Sequence, residues 1–227
     1  MNAGLDALTG PHLWRGRAGC AARLVRATGF DALDDAFGGG WPWGAIVEIF
    51  VERYGSGELG VLMPALAAAI RDTESGLLVF VSPPFVPYPP ALAQHAVDVG
   101  RTLVVRAGAS AERSPKAEDA ALWATEQAVR SGACTAVLSW LPSADGIALR
   151  RLQLATEERR CGLVLFRSLR RLRMRSPAAL RIKVSAEGPR TRVEVLKCRG
   201  GRPGAVVLDA LGPSCLAKSS GEASPAH

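Results

Sequence analysis

Long apolar runs are missing from this 227-residue chain, and none reaches the roughly 18 residues that a membrane-crossing helix needs. The first twenty residues lack the continuous apolar stretch of a secretory signal, so the expected location is the cytoplasm. Histidine is scarce, with three isolated positions, His12, His95 and His227. That inventory offers no imidazole cluster for zinc and argues against a Ser-His-Asp triad. The five cysteines are odd in number and scattered, without a C-x-x-C pair. They read as reduced side chains, three of them small fillers at strand positions, and not as a disulfide framework. No internal repeat is present. What remains is an ordinary globular composition, 48% hydrophobic and 22% charged, in a chain long enough for one substantial domain plus tails.

The most informative stretch runs from Ala45 to Ile70. It reads as a buried strand (46–51), a glycine-bearing loop (52–57) and an apolar helix from about Glu58. That order is the frame of a phosphate-binding loop, G-x-x-x-x-G-K-[ST], whose amides and lysine surround phosphates and whose hydroxyl holds magnesium. With Gly57 as the second glycine, Glu52 stands at the first glycine, Glu58 at the lysine and Leu59 at the hydroxyl. Gly55 and Ser56 complete the loop. A carboxylate at the lysine position repels a triphosphate by roughly 4 kcal/mol at about 4 Å and a surface-like dielectric. The frame is kept without its chemistry, so no nucleotide or metal cofactor is expected.

Further along, short apolar runs at 77–81, 102–105, 134–140 and 162–166 alternate with helical segments at 91–99, 115–130 and 145–160. This is the pattern of a parallel, right-handed α/β sheet. Segments 180–185 and 192–197 instead alternate apolar with polar residues around a Gly188-Pro189 turn, as an antiparallel hairpin does, and 205–208 suits an edge strand. Pro64 is expected to kink or restart its helix. Residues 1–27 read as an arm with one helical turn near its end, 28–212 as the domain, and the small, polar segment 213–227 as a disordered tail.

Charge is unevenly spread. Residues 149–202 hold 14 Arg and 2 Lys against 4 Glu, whereas residues 1–148 hold 11 basic and 15 acidic side chains. The densest run is Arg167, Arg170, Arg171, Arg173 and Arg175. Such a block favours anionic partners, nucleic acid first, although a merely solvated face is the alternative. No aromatic interrupts it, so base stacking is not indicated. Between Ser82 and Leu92, five prolines fix an extended segment that carries Phe85, Val86 and Tyr88. These either form a rigid platform for a protein partner or cover the end of the sheet.

The succession T-G-x-x-x-L-D-x-A-x-G-G-G from Thr28, then G-x-I-V-E-I from Gly44, and A-V-R-S-G-A at 128–133 before a hydrophobic strand resembles the RecA recombinase core. Within RecA-like proteins, G-W-P-x-G-A-I-V-E (40–48), G-x-G-E-L (55–59) and the proline-rich run (83–92) look like the ImuA family, also grouped with SulA-like cell-division inhibitors. The resemblance implies a RecA-like domain in SOS-induced translesion DNA synthesis, partnering the pseudo-polymerase ImuB, RecA and an error-prone DnaE-type polymerase. It also places DNA-facing loops near the arginine run. Pro83 and Pro84 stand where RecA-like ATPases keep a catalytic glutamate, and Leu138-Ser139-Trp140 replaces the magnesium-orienting aspartate. Phosphate grip, metal support and water activation are therefore all expected to be lost. The expectation is a non-catalytic adaptor; a SulA-like division inhibitor and a residual RecA-superfamily ATPase are the alternatives.

Overall fold

A computed structural model describes residues 24–107, 115–201 and 203–209. Its elements run β1 (Val25–Arg26), α1 (Asp31–Phe37), β2 (Trp41–Pro42), β3 (Ile46–Val51), α2 (Met63–Arg71), β4 (Leu77–Val81), α3 (Pro89–Gln94) and β5 (Thr102–Val105). There follow α4 (Pro115–Arg130), β6 (Cys134–Trp140), α5 (Gly146–Arg159), β7 (Gly162–Ser168), β8 (Leu180–Glu187), β9 (Arg190–Cys198) and β10 (Gly204–Leu208). β1 and β2 pair with each other, and the rest form one eight-stranded sheet in the order β10-β9-β8-β3-β7-β6-β4-β5. From β8 to β5 all pairings are parallel; β8 to β9 and β9 to β10 are antiparallel. The fold is thus α/β, a mostly parallel sheet flanked by helices, with the expected C-terminal antiparallel hairpin.

Both faces of β3 are covered, which is why I-V-E-I-F-V carries almost no polar residue; all six positions are buried. One core layer joins Val47, Ile49 and Val51 to Leu66 and Ile70 of α2 and Leu33 and Phe37 of α1. The other joins Ile46 and Leu163 to Ala121 of α4 and Leu149 and Leu152 of α5. Crossovers leading toward the β5 edge pass over the first face, and those leading back pass over the second, so all keep one hand. The connections leaving β4 and β6 diverge at the carboxyl ends of those neighbouring strands. This divergence is the switch point at which open α/β sheets place ligands.

Several expectations need correction. The helix after the loop begins at Met63 and not near Glu58; residues 57–62 form turns, joined by Val61 N–H to Gly57 O and Met63 N–H to Leu59 O. Pro64 therefore lies in the first helical turn, where its missing amide costs nothing, and causes no kink. The helix expected at 91–99 is the shorter α3 followed by a 3₁₀ turn at Val99–Arg101. β7 continues through Ser168, two residues beyond the apolar run. Residues 24–27, assigned to the arm, belong to the fold: Arg26 pairs with Asp72 at 2.7 Å and lies over the Trp43 ring. Residues 25 and 26 are strand and not helix. The rest of the arm, residues 1–23, and the tail at 213–227 lie outside the described residues. Gly188, with φ 62, takes the first central position of the β8–β9 turn, where a primed hairpin turn needs a positive φ.

Glu126 ties α4 to α5 by accepting from Arg151, and on its own helix it meets Arg130 at 3.1 Å. Burial pushes its carboxyl up, but the two guanidiniums outweigh burial and hold it below its ordinary value of 4.5. A carboxyl held low in the folded chain contributes stability above that pH, and loses it as the pH falls through the folded value. Glu126→Gln is expected to cost about 1 kcal/mol at neutral pH, read by urea unfolding, with the difference from the parent vanishing in acid.

Candidate functional site

The loop at the carboxyl end of β3 is closed by its own side chains. Glu58 is buried, only 4% exposed, and folds back so that its Oε1 accepts the Gly55 amide at 2.7 Å. That amide is of the kind a phosphate-binding loop offers to its ligand, and here an internal carboxylate holds it. The second oxygen, Oε2, is buried without a hydrogen-bond partner among the described residues. Ser56 Oγ donates to Arg53 O at 2.8 Å, which turns the hydroxyl into the loop. Gly55 and Gly57 have φ 88 and 92, and a Cβ on Gly57 would lie 2.3 Å from Thr191 Oγ1 of β9. The space a glycine clears for phosphate is thus taken by a threonine. Leu59 packs on the core, and Glu52 is exposed.

The switch point is filled as well. Trp140, at the end of β6, stacks on Phe166 with ring centroids 4.4 Å apart and faces Phe80 at 6.2 Å. Aromatic pairs at these separations add about 0.5–1.5 kcal/mol each beyond their buried area. Trp140 is buried in the core layer beneath α2. Beyond β4, Ser82 adopts φ 50; its amide donates to Val105 O at 2.8 Å and its Oγ accepts from Ala107 N–H at 3.3 Å. Among the described residues, no three His, Cys, Asp or Glu side chains gather to hold a metal ion. A cleft of about 490 Å³ opens at the opposite, amino ends of β4 and β6, beside Arg26, Trp43, Glu74, Cys134 and Arg160. Burial raises the Cys134 thiol and pushes that of Cys161 up to about 12, so neither is a ready thiolate.

The arginine run divides. Arg170, Arg171, Arg173 and Arg175 are exposed, and none forms an ion pair among the described residues. Arg167 must be withdrawn as a contact residue. Because β7 extends through Ser168, strand alternation turns Arg167 inward, and it is 1% exposed. Its guanidinium donates to Leu141 O at 2.5 Å and Ala144 O at 2.6 Å, and its Nε stands 3.1 Å from Glu48 Oε1. That last approach has ion-pair distance without hydrogen-bond alignment, since both atoms lack a hydrogen-bond partner. Arg181 of β8 completes the group, with Nε 2.8 Å from Glu48 Oε2 and its guanidinium over the Phe50 ring. Burial lowers the Arg167 pKa, and Glu48 opposes that shift. This triad is the main feature the sequence reading missed; a lone glutamate inside an otherwise apolar strand was its signal.

Phe85, Val86 and Tyr88 are 74%, 58% and 69% exposed, so they present themselves to solvent and do not cover the sheet end. Tyr88 precedes α3, whose first turn holds Pro89 and Pro90. Compared with known protein families, the chain matches none of their models, and no curated protein is significantly similar to it.

Arg167→Ala leaves Glu48 half-paired in the interior and is expected to cost 3–5 kcal/mol or more, whereas Arg173→Ala should change stability by no more than about 0.5 kcal/mol. Urea unfolding of the two variants checks the division of the run.

Proposed function

We propose that this chain is a non-catalytic adaptor built on a RecA-like scaffold of the ImuA type, acting in SOS-induced translesion DNA synthesis. In this reading it links the pseudo-polymerase ImuB, RecA and an error-prone DnaE-type polymerase in the cytoplasm, at the nucleoid during DNA damage. One observation carries the non-catalytic part: the carboxylate of Glu58 occupies the loop amide of Gly55 that a nucleotide phosphate would take. By the same resemblance, Trp140 of the Phe80–Trp140–Phe166 stack replaces the metal-orienting aspartate of a RecA-like ATPase, and Pro83 and Pro84 replace its catalytic glutamate. A scaffold with its ligand position filled serves as a shape for docking. The docking element is the proline-stiffened loop: its backbone is already ordered, so binding costs little further entropy, and Phe85 and Tyr88 are aromatic anchors. Arg170, Arg171, Arg173 and Arg175 contact DNA in the same reading.

Two outcomes are expected. Millimolar MgATP should leave the thermal midpoint unchanged, since a ligand at a hundred times its Kd would stabilise the fold by about 2.7 kcal/mol; a clear upward shift would count against the closed loop. In pull-downs with ImuB and with RecA, Phe85→Ala/Tyr88→Ala should weaken association by at least roughly 30-fold, about 2 kcal/mol, with thermal stability unchanged. No association of the parent chain with either partner would sink the adaptor reading.

A further inference from the structure

We propose that the uncovered face of the β8–β9–β10 hairpin continues the arginine run into one surface that grips the phosphodiester backbone of nucleic acid without reading its bases. This rests on the reading of the run as a polyanion contact and assigns it a second wall. Strand alternation builds that wall. Leu180, Ile182 and Val184 of β8 and Val193 and Val195 of β9 point into the core shared with α1. The intervening residues point the other way, and none of Arg181, Lys183, Arg192 and Lys197 is fully buried. Among the described residues, helices α4 and α5 on that side stand on β3, β4 and β6, away from the hairpin.

The wall and the run are joined by hydrogen bonds. Arg181 donates to Leu172 O at 3.0 Å, Lys197 Nζ to Ser176 O at 2.8 Å and Arg199 to Pro177 O at 3.0 Å. Lys183 lies two residues beyond Arg181 on the same face. The acceptors that fix Lys197 and Arg199 are neutral carbonyls, so hydrogen bonding holds these cations in place without cancelling their charge. Arg181 and Lys197 are cross-strand partners, an arrangement of like charges that costs stability. Burial first, then Arg199 and Arg181, hold the Lys197 ammonium below its ordinary pKa. Carboxylates temper the face: Glu48 pairs with Arg181, Glu194 is the cross-strand partner of Lys183, Glu187 lies 4.0 Å from Arg192, and Asp209 lies 3.2 Å from Arg190.

The chemistry of this face favours a nucleic acid over an acidic protein. Among the described residues its exposed apolar side chains are Ala205 and Val207, too little for a protein anchor. Among the described residues it exposes no aromatic on which a base stacks. What it offers is spaced positive charge, which suits phosphates and gives binding that is independent of sequence and steeply dependent on salt.

The test is fluorescence anisotropy of the full chain with a labelled mixed-sequence DNA duplex, titrated over salt. Lys183→Ala/Arg192→Ala should lower the slope of log K against log salt by about 2, roughly one per phosphate contact, and weaken binding at low salt by at least about tenfold. Glu194→Lys should raise the slope by about 1 and tighten binding, a gain that a damaged fold does not produce. Binding unchanged in Lys183→Ala/Arg192→Ala but weakened in Arg170→Ala/Arg171→Ala/Arg173→Ala would overturn the wall and leave the run as the contact. A parent chain that binds no duplex at low salt would overturn both. Polyglutamate competing as well as unlabelled duplex at equal charge would assign the surface to an acidic protein and overturn the proposal.

Discussion

Glu48 is fully buried: it sits at the middle of a strand covered on both faces, and its charge is balanced by Arg167 on one neighbouring strand and Arg181 on the other. A buried carboxylate is tolerable only when paired and hydrogen-bonded, so the triad fixes how β7, β3 and β8 lie against one another. It reaches further through its spare donors. Arg167 holds the carbonyls of Leu141 and Ala144 just beyond β6, and Arg181 holds that of Leu172. The chain leaving β6 and the chain leaving β7 are thus tied to the same charge. Replacing such a group by apolar residues is often neutral or stabilising, so its presence is better explained by specificity of register than by stability.

The two halves of the carboxyl-end surface follow from that arrangement. On one side of the sheet, the loop after β3 is closed by Glu58 and pressed by Thr191, with the aromatic stack filling the switch point beside it. On the other, the segment after β7 is pinned by cations from β8 and β9, which leaves its arginines directed at solvent. The first side resembles a ligand site whose occupant is part of the chain. The second presents Arg170, Arg171, Arg173 and Arg175 without an ion-pair partner among the described residues. The proline-stiffened loop proposed for protein docking and the cationic surface proposed for polyanion binding are therefore separate parts of the molecule.

Much of this was legible beforehand because it depends on local chemistry. Strands 46–51, 77–81, 102–105 and 134–140 were read at the bounds the structure gives them, since continuous apolar runs between turn signals have few alternatives. The hairpin at Gly188-Pro189 was legible for the same reason. The start of α2 was misread because Leu59, Val61 and Leu62 fit a buried turn as well as a buried helix, and only the position of Pro64 in the first turn separates them. The exposure of Phe85 and Tyr88 was left open, because a side chain's burial depends on what the rest of the chain lays over it.

The sequence alone determined the α/β alternation, the absence of the lysine and hydroxyl from the loop, and the charge imbalance, all of which are properties of neighbouring residues. Tertiary structure decided that Thr191 would fill the space beside Gly57, that Trp140 would stack between Phe80 and Phe166, and that Arg167 would be spent on Glu48 while Arg173 faces water. The physical reason is distance along the chain: Glu48 and Arg181 are separated by 133 residues. Whether a charge is buried or solvated depends on a partner that no local pattern can supply.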